Sequence, residues 1–175
     1  TGPHPRKEPR FDGPLTLKRL EQIFQDCVDF TKRPVSLGEG GACTLTLCSL
    51  SGMVKMERVS DYVLRPLAQD EALARCGTPR QAMEEMMGGA LYNLSAAERT
   101  TLDEAAFDLV AGWCLMFFPG ESAVLSLFVG TEEKRSISSP SNETVLKGSR
   151  DAFVESLRTN TSIVRRHLKA PELRI

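Results

Sequence analysis

The sequence predicts a mixed fold, α/β or α+β, built as two small subdomains that each cover a short β-sheet with α-helices. Three observations predict it. Leu17, Leu20, Phe24, Cys27 and Val28 recur at helical spacing. The stretch "CTLTLCSL" (43–50) alternates threonine with leucine, the period of a strand. "WCLMFFPG" and "AVLSLFVG" are apolar runs joined through Pro119-Gly120-Glu121-Ser122, which reads as a β-hairpin. Helical and strand patterns interleave along 175 residues. A chain of that size hides roughly two-thirds of its unfolded surface.

Element by element, residues 1–14 are rich in Pro, Gly and charge and read as a flexible leader. A helix is expected over 16–30, then a loop through "SLGEGGA", then the 43–50 strand. Met56, Val59, Val63 and Leu67 line one face of a second helix over 52–65, which Pro66 should end. "CGTPRQ" marks the boundary between an N-terminal subdomain (15–77) and a second one (78–175). Thr78 can cap a helix with Pro79 at its first position and Gln81 at capping-box spacing. That helix should run to Gly88-Gly89. "ALYNL" (90–94) reads as a short strand. Ser95 and Glu98 form a second capping-box pattern, opening a helix that ends at Gly112. After the hairpin comes a polar loop, "TEEKRSISSPSNET". A last helix spans 149–168, with Phe153, Leu157, Asn160, Val164 and Leu168 on one stripe. No internal repeat is present.

Composition excludes several function classes. Hydrophobic residues at 41% and charged residues at 26% are those of a globular chain. A net charge of −1 argues against an electrostatic nucleic-acid binder. Charge is uneven, however: Arg158, Arg165, Arg166, Lys169 and Arg174 face only Glu172 at the C-terminal end. Five cysteines without framework spacing point to a reducing compartment, so the sequons at Asn93, Asn142 and Asn160 are chance matches. No apolar run approaches the roughly 20 residues of a membrane helix, and no signal peptide is read. A chain lacking an initiator Met and stopping after "APELRI" is expected to be a piece of something longer.

Catalytic and metal motifs fare poorly. "GEGGA" (38–42) precedes a strand rather than a helix, so it does not cradle phosphate. Cys43 and Cys48 sit five apart on one strand and so point to opposite faces, which makes them structural thiols rather than metal ligands. Neither His4 nor His167 has the positioned partner a nucleophile pair needs. Glu84-Glu85, Asp103-Glu104 and Glu132-Glu133 are adjacent pairs, the pattern of solvated faces. Met83, Met86 and Met87 read as core filling or a soft contact surface. No enzyme activity and no cofactor are expected.

The C-terminal helix stands apart. Asp151 and Glu155 near its start and Arg165, Arg166 and Lys169 at its end complement the helix dipole. Asn160 on the apolar stripe calls for a specific partner. Basic residues at this end suit an anionic membrane surface.

The stretch from "EEKRSISSPSNETVLKGSRDAFVESLRTNTSIVRR" to "HLKAPEL" resembles the signature of the GerA family. These are A-type subunits of spore germinant receptors, with the related stage V sporulation protein AF. The matching positions are Arg135, Pro140, Glu143, Gly148, Arg150, Phe153, Glu155, Asn160, Arg165 and Arg166. Ser149, Ser139 and His167 depart from the pattern. The resemblance implies a soluble domain on the core-facing side of the inner spore membrane, with membrane helices beyond Ile175. It implies B-type and C-type receptor subunits as partners, with a homo-oligomer and a small nutrient ligand as further options, and no nucleic acid. On this reading the last helix couples the domain to the membrane part. Glu143, Arg150 and Glu155 would make fixed polar contacts, and Arg165, Arg166 and Lys169 would sit near headgroups. The alternative reading is a nutrient-binding module, with its ligand between the two subdomains near Arg75 or Arg80.

Overall fold

The computed structural model describes residues 10–37, 41, 43–91, 95–129 and 157–174, with 157–160 as backbone only. The α+β class is what the chain forms. One five-stranded antiparallel sheet runs in the order β1-β2-β4-β5-β3. Its strands are β1 (Phe30–Leu37), β2 (Cys43–Leu50), β3 (Ala96–Arg99), β4 (Trp113–Phe117) and β5 (Val124–Phe128). The strands of the two expected subdomains do not form separate sheets. β2 pairs with β4, Leu47 opposite Met116, and this joins both sides of residue 77.

Alternation along β2 explains the layering. Cys43, Leu45 and Leu47 enter one apolar cluster, and Cys48 and Leu50 enter another. In β4, Cys114 and Met116 face the first and Leu115 the second. A sheet that is apolar on both faces must be covered on both. The first face is covered by α2 (Met56–Val59), α3 (Arg65–Gln69), α4 (Glu71–Ala74) and α5 (Pro79–Glu85). Val59, Val63, Leu67, Leu73, Met83 and Met86 reach the sheet from there. The second face is covered by α1 (Leu17–Ile23) and α6 (Leu102–Val110), through Leu20, Phe24, Leu102 and Leu109. Helix α7 (Leu157–Leu168) closes the described chain.

Several local expectations hold. β2 spans the alternating stretch, and β4 and β5 form the hairpin. The turn between them hydrogen-bonds Glu121 N–H to the Phe118 carbonyl at 3.1 Å, with Pro119 and then Gly120 at φ +79. That is a type II turn, which needs a residue free to take positive φ at its third position. Thr78 caps α5, its hydroxyl accepting the Gln81 N–H at 3.2 Å.

Others are corrected. The 16–30 helix stops at Ile23, Val28 is 87% exposed, and Phe30 already belongs to β1. Pro34 sits in β1 without penalty because β1 is an edge strand. The second helix begins at Met56 rather than 52 and passes Pro66. A π turn at Ser60–Leu64 widens the helix just before the proline, and α3 continues to Gln69. The expected strand at 90–94 is replaced at Ala90 by the end of a second π turn, Met86–Ala90; residues 92–94 lie outside the described set. Residues 96–99 form β3 against β5, not a helix start. The working cap is Thr101, whose hydroxyl accepts the Glu104 N–H at 3.3 Å and donates to Glu104 Oε2 at 2.8 Å. Pairing with β5 overrides the weak helical preference of Ala96-Ala97-Glu98.

Candidate functional site

The site is built around α7 and the loop that joins α1 to β1. Arg165 is fully buried. Its Nε donates to Asp29 Oδ2 and its Nη2 to Asp29 Oδ1, both at 2.8 Å. This is the fork-on-carboxylate geometry that suits guanidinium. Asp29 is 8% exposed, and its carbonyl accepts the Ser51 N–H at 2.8 Å, so the backbone holds it in place. Arg165 Nη1 is buried and finds no acceptor among the described residues. Gly52 lets α7 come close: a Cβ there would stand 3.3 Å from Ser162 Oγ and 3.4 Å from Asp29 Oδ2.

The tail beyond α7 returns to the same corner. Lys169 takes a left-handed conformation (φ 43) that ends the helix, and Pro171 is buried. Arg10 Nη1 donates to both oxygens of Glu172, at 3.0 and 3.1 Å. The Cys27 thiol donates to the Leu173 carbonyl at 3.3 Å. Arg174 pairs with Asp26 in the open. Arg166 and Lys169 are exposed, and Leu168 is 60% exposed.

Two expectations for α7 are thereby overturned. Arg165 does not sit where headgroups could reach it; it points inward because Asp29 supplies the counter-charge that a buried guanidinium requires. Leu168 does not continue a buried stripe. Arg166 and Lys169, unlike Arg165, are exposed. Asn160 lies on α7, but its side chain is outside the described set. Arg135, Pro140, Glu143, Gly148, Arg150, Phe153 and Glu155 lie outside the described residues altogether. Asp29 was missed because its only signal is its pairing with a residue 136 positions away.

Among the described residues, surface cavities open at three places. One of about 320 Å3 lies between α7 and the 51–57 segment, bordered by Ser51, Lys55, Glu57, Ser162 and Arg166. Another, about 300 Å3, lies between the two π turns, with Asp61, Tyr62, Asp70 and Ala90 on its walls. Its carboxylates are engaged: Asp61 pairs with Arg65 at 3.2 Å, and Asp70 caps α4 through the Leu73 N–H at 2.9 Å. The third, about 350 Å3, is an open depression at the expected boundary, where Arg75 sits with Gln81, Glu84 and Glu85. Arg75 pairs there with Glu71 at 3.1 Å, and Glu84 is held by Arg80 at 2.9 Å.

All five cysteines are buried and free. Cys43 and Cys48 fall on opposite faces of the sheet. Burial pushes the Cys48 and Cys114 thiols up to about 12. Among the described residues, no group of three or more His, Cys, Asp or Glu could hold a metal ion. No helix among them is long and apolar enough to cross a membrane.

Fold and site together define a sheet domain, layered between helices, whose last helix is seated on a buried ion pair. The chain belongs to the Bacillus/Clostridium GerA spore germination protein family, whose model matches residues 18–175. It is 31% identical over 163 residues to the uncharacterized membrane protein YfkQ of Bacillus subtilis (strain 168), covering 91% of this chain and 30% of that protein. It is 31% identical over 147 residues to spore germination protein KA of the same organism, covering 83% of this chain and 26% of that one. The chain therefore spans about a third or less of the length of these relatives. Among solved structures it is similar to the N-terminal domain of the A subunit of the Bacillus megaterium spore germinant receptor GerK3. That likeness has a TM-score of 0.62 at 20% identity and covers 89% of this chain and 54% of that one.

Proposed function

We propose that this domain serves a spore germinant receptor of the A-subunit type, acting in nutrient-triggered germination by assembly and signal coupling. It has no catalytic role of its own. The observation that carries the reading is the two-sidedness of α7, in a chain of this family. Arg165 roots the helix in the sheet domain, while Arg166 and Lys169 face outward. In this reading the whole protein continues past Ile175 into the inner spore membrane. The domain lies on the core side and meets the B-type and C-type subunits. Each outward basic residue near an anionic surface contributes about 1 kcal/mol.

The test replaces Arg166 and Lys169 by Glu in the intact receptor and leaves Arg165 alone. Lower receptor levels in the spore membrane and slower nutrient-triggered germination are expected. Wild-type levels with wild-type germination would end the coupling reading.

The cavity beside α7 favours a second reading, a nutrient-binding module. Lys55 and Arg166 border it with the hydroxyl residues Ser51 and Ser162. That set suits a ligand carboxylate better than the open depression near Arg75 does. A thermal-shift screen of amino acids, sugars and nucleosides decides it. A ligand at 100 times its dissociation constant adds about 2.7 kcal/mol of stability, and silence across a panel reaching millimolar affinity removes the reading.

A further inference from the structure

We propose that residues 161–174 form a releasable strap, fastened to the body by a polar lock centred on Arg165 and Asp29 and free to leave without unfolding the sheet. The inference is independent of the germination reading and concerns only how this chain holds itself together.

The first support is what the strap lacks. Among the described residues, neither apolar cluster takes a member from 161–174. The clusters are filled from Leu15 to Val129, so the sheet and its helices bury their faces against one another. Among the described residues, α7 meets the body through Asp29, in the loop before β1, and at Gly52, in the turn after β2. Segments with few buried apolar contacts open at free energies below that of global unfolding.

The second support is the nature of the fastenings. Pro171 is buried and the Cys27 thiol holds the Leu173 carbonyl at 3.3 Å, while the two surface ion pairs, Arg10 with Glu172 and Arg174 with Asp26, are about half exposed. Exposed pairs contribute little and are screened by salt. The buried pair is different. Its attraction is largely offset by the desolvation of both charges, so it sets where the helix sits more than how tightly. The buried Nη1, which has no acceptor among the described residues, adds to that cost.

The third support is that the lock has two states with nothing stable between them. With Arg165 buried, its charge needs Asp29. With the strap released, water solvates both groups. A buried Arg165 without its partner is the unfavourable arrangement that separates the two. Gly52 keeps the seat open, since a side chain there would press on both Ser162 and Asp29.

The experiment is hydrogen exchange of the 175-residue chain, read by mass spectrometry, for wild type, Asp29→Asn, Arg165→Met and Arg166→Glu. Either change to the buried pair is expected to speed exchange of the 161–169 amides by about tenfold or more. Protection in β2, β4 and β5 should stay at the wild-type level. Arg166→Glu should leave 161–169 unchanged, because that residue faces outward. Unchanged protection of 161–169 in both Asp29→Asn and Arg165→Met would show that the ion pair does not hold the strap. Exchange spreading through the sheet, with a red-shifted Trp113 emission, would make 161–174 part of the folding unit. Either result overturns the proposal.

Discussion

Arg165 and Arg166 are chemically identical neighbours with opposite fates. One is buried against a carboxylate and the other is exposed. A helix turns about 100° per residue, so one faces inward when the other faces out. Which one turns inward is decided by where Asp29 lies. The cysteines show the same dependence on surroundings. Cys48 sits on β2 beneath α1 and α6, and Cys114 on β4 beneath the opposite helices. Burial favours the neutral thiol, so their folded pKa lies near 12, against an ordinary value of 9.0. The sign follows from proton binding. Above pH 9 the unfolded chain releases these protons while the folded chain keeps them, so stability falls as pH climbs toward 12. The thermal midpoint is expected to drop steadily between pH 9 and 11, and replacing both cysteines by Ala should flatten that drop. At pH 8 neither thiol should react with an alkylating reagent until urea is added; labelling of the native chain at Cys48 or Cys114, located by peptide mass, would contradict their burial.

Among the elements, α6 carries the clearest local code. Thr101 and Glu104 exchange two hydrogen bonds at its start, and Asp103 accepts the N–H groups of Arg10 and Phe11 at 2.9 and 3.2 Å. Arg99 on β3 reaches Asp108 of α6 at 2.7 Å, which ties the edge strand to the helix. Thr101→Ala removes a cap and should cost about 1 kcal/mol, read as a lower urea midpoint with unchanged slope. Ser95→Ala, by contrast, should leave the midpoint within about 0.5 kcal/mol of wild type, because Ser95 caps no helix. The pattern of Ser95 and Glu98 imitates the real cap six residues later. Sequence spacing cannot separate the two, since both offer a hydroxyl and a glutamate three apart. The strand that β5 recruits decides it.

At the scale of the molecule, one sheet unites residues on both sides of 77. β2 enters from before that point and β3, β4 and β5 from after it, and the helices of the first face come from both. Shared strand pairing makes the halves depend on each other. Urea unfolding should therefore show one transition, with Trp113 fluorescence and far-UV circular dichroism coinciding. Two separated transitions would instead mark two independent units. A released strap would still be compatible with a single transition, because among the described residues neither apolar cluster takes a member from 161–174.

The sequence by itself determined what depends on short range. The period-two run of β2, the hairpin with its Pro119-Gly120 turn, the Thr78 cap and the opposed faces of Cys43 and Cys48 all follow from spacings of five residues or fewer. The family signature was legible too, although most of its positions lie outside the described residues. Tertiary structure alone decided what depends on partners far along the chain. β1 and β3 exist because β2 and β5 offer free edges, not because of their own propensity. The union of both halves rests on the pairing of β2 with β4. The seat of α7 rests on Asp29, the buried counter-charge of Arg165. A hydrogen-bonding edge or a buried counter-charge is supplied from outside the segment that uses it, so no periodicity within that segment records it.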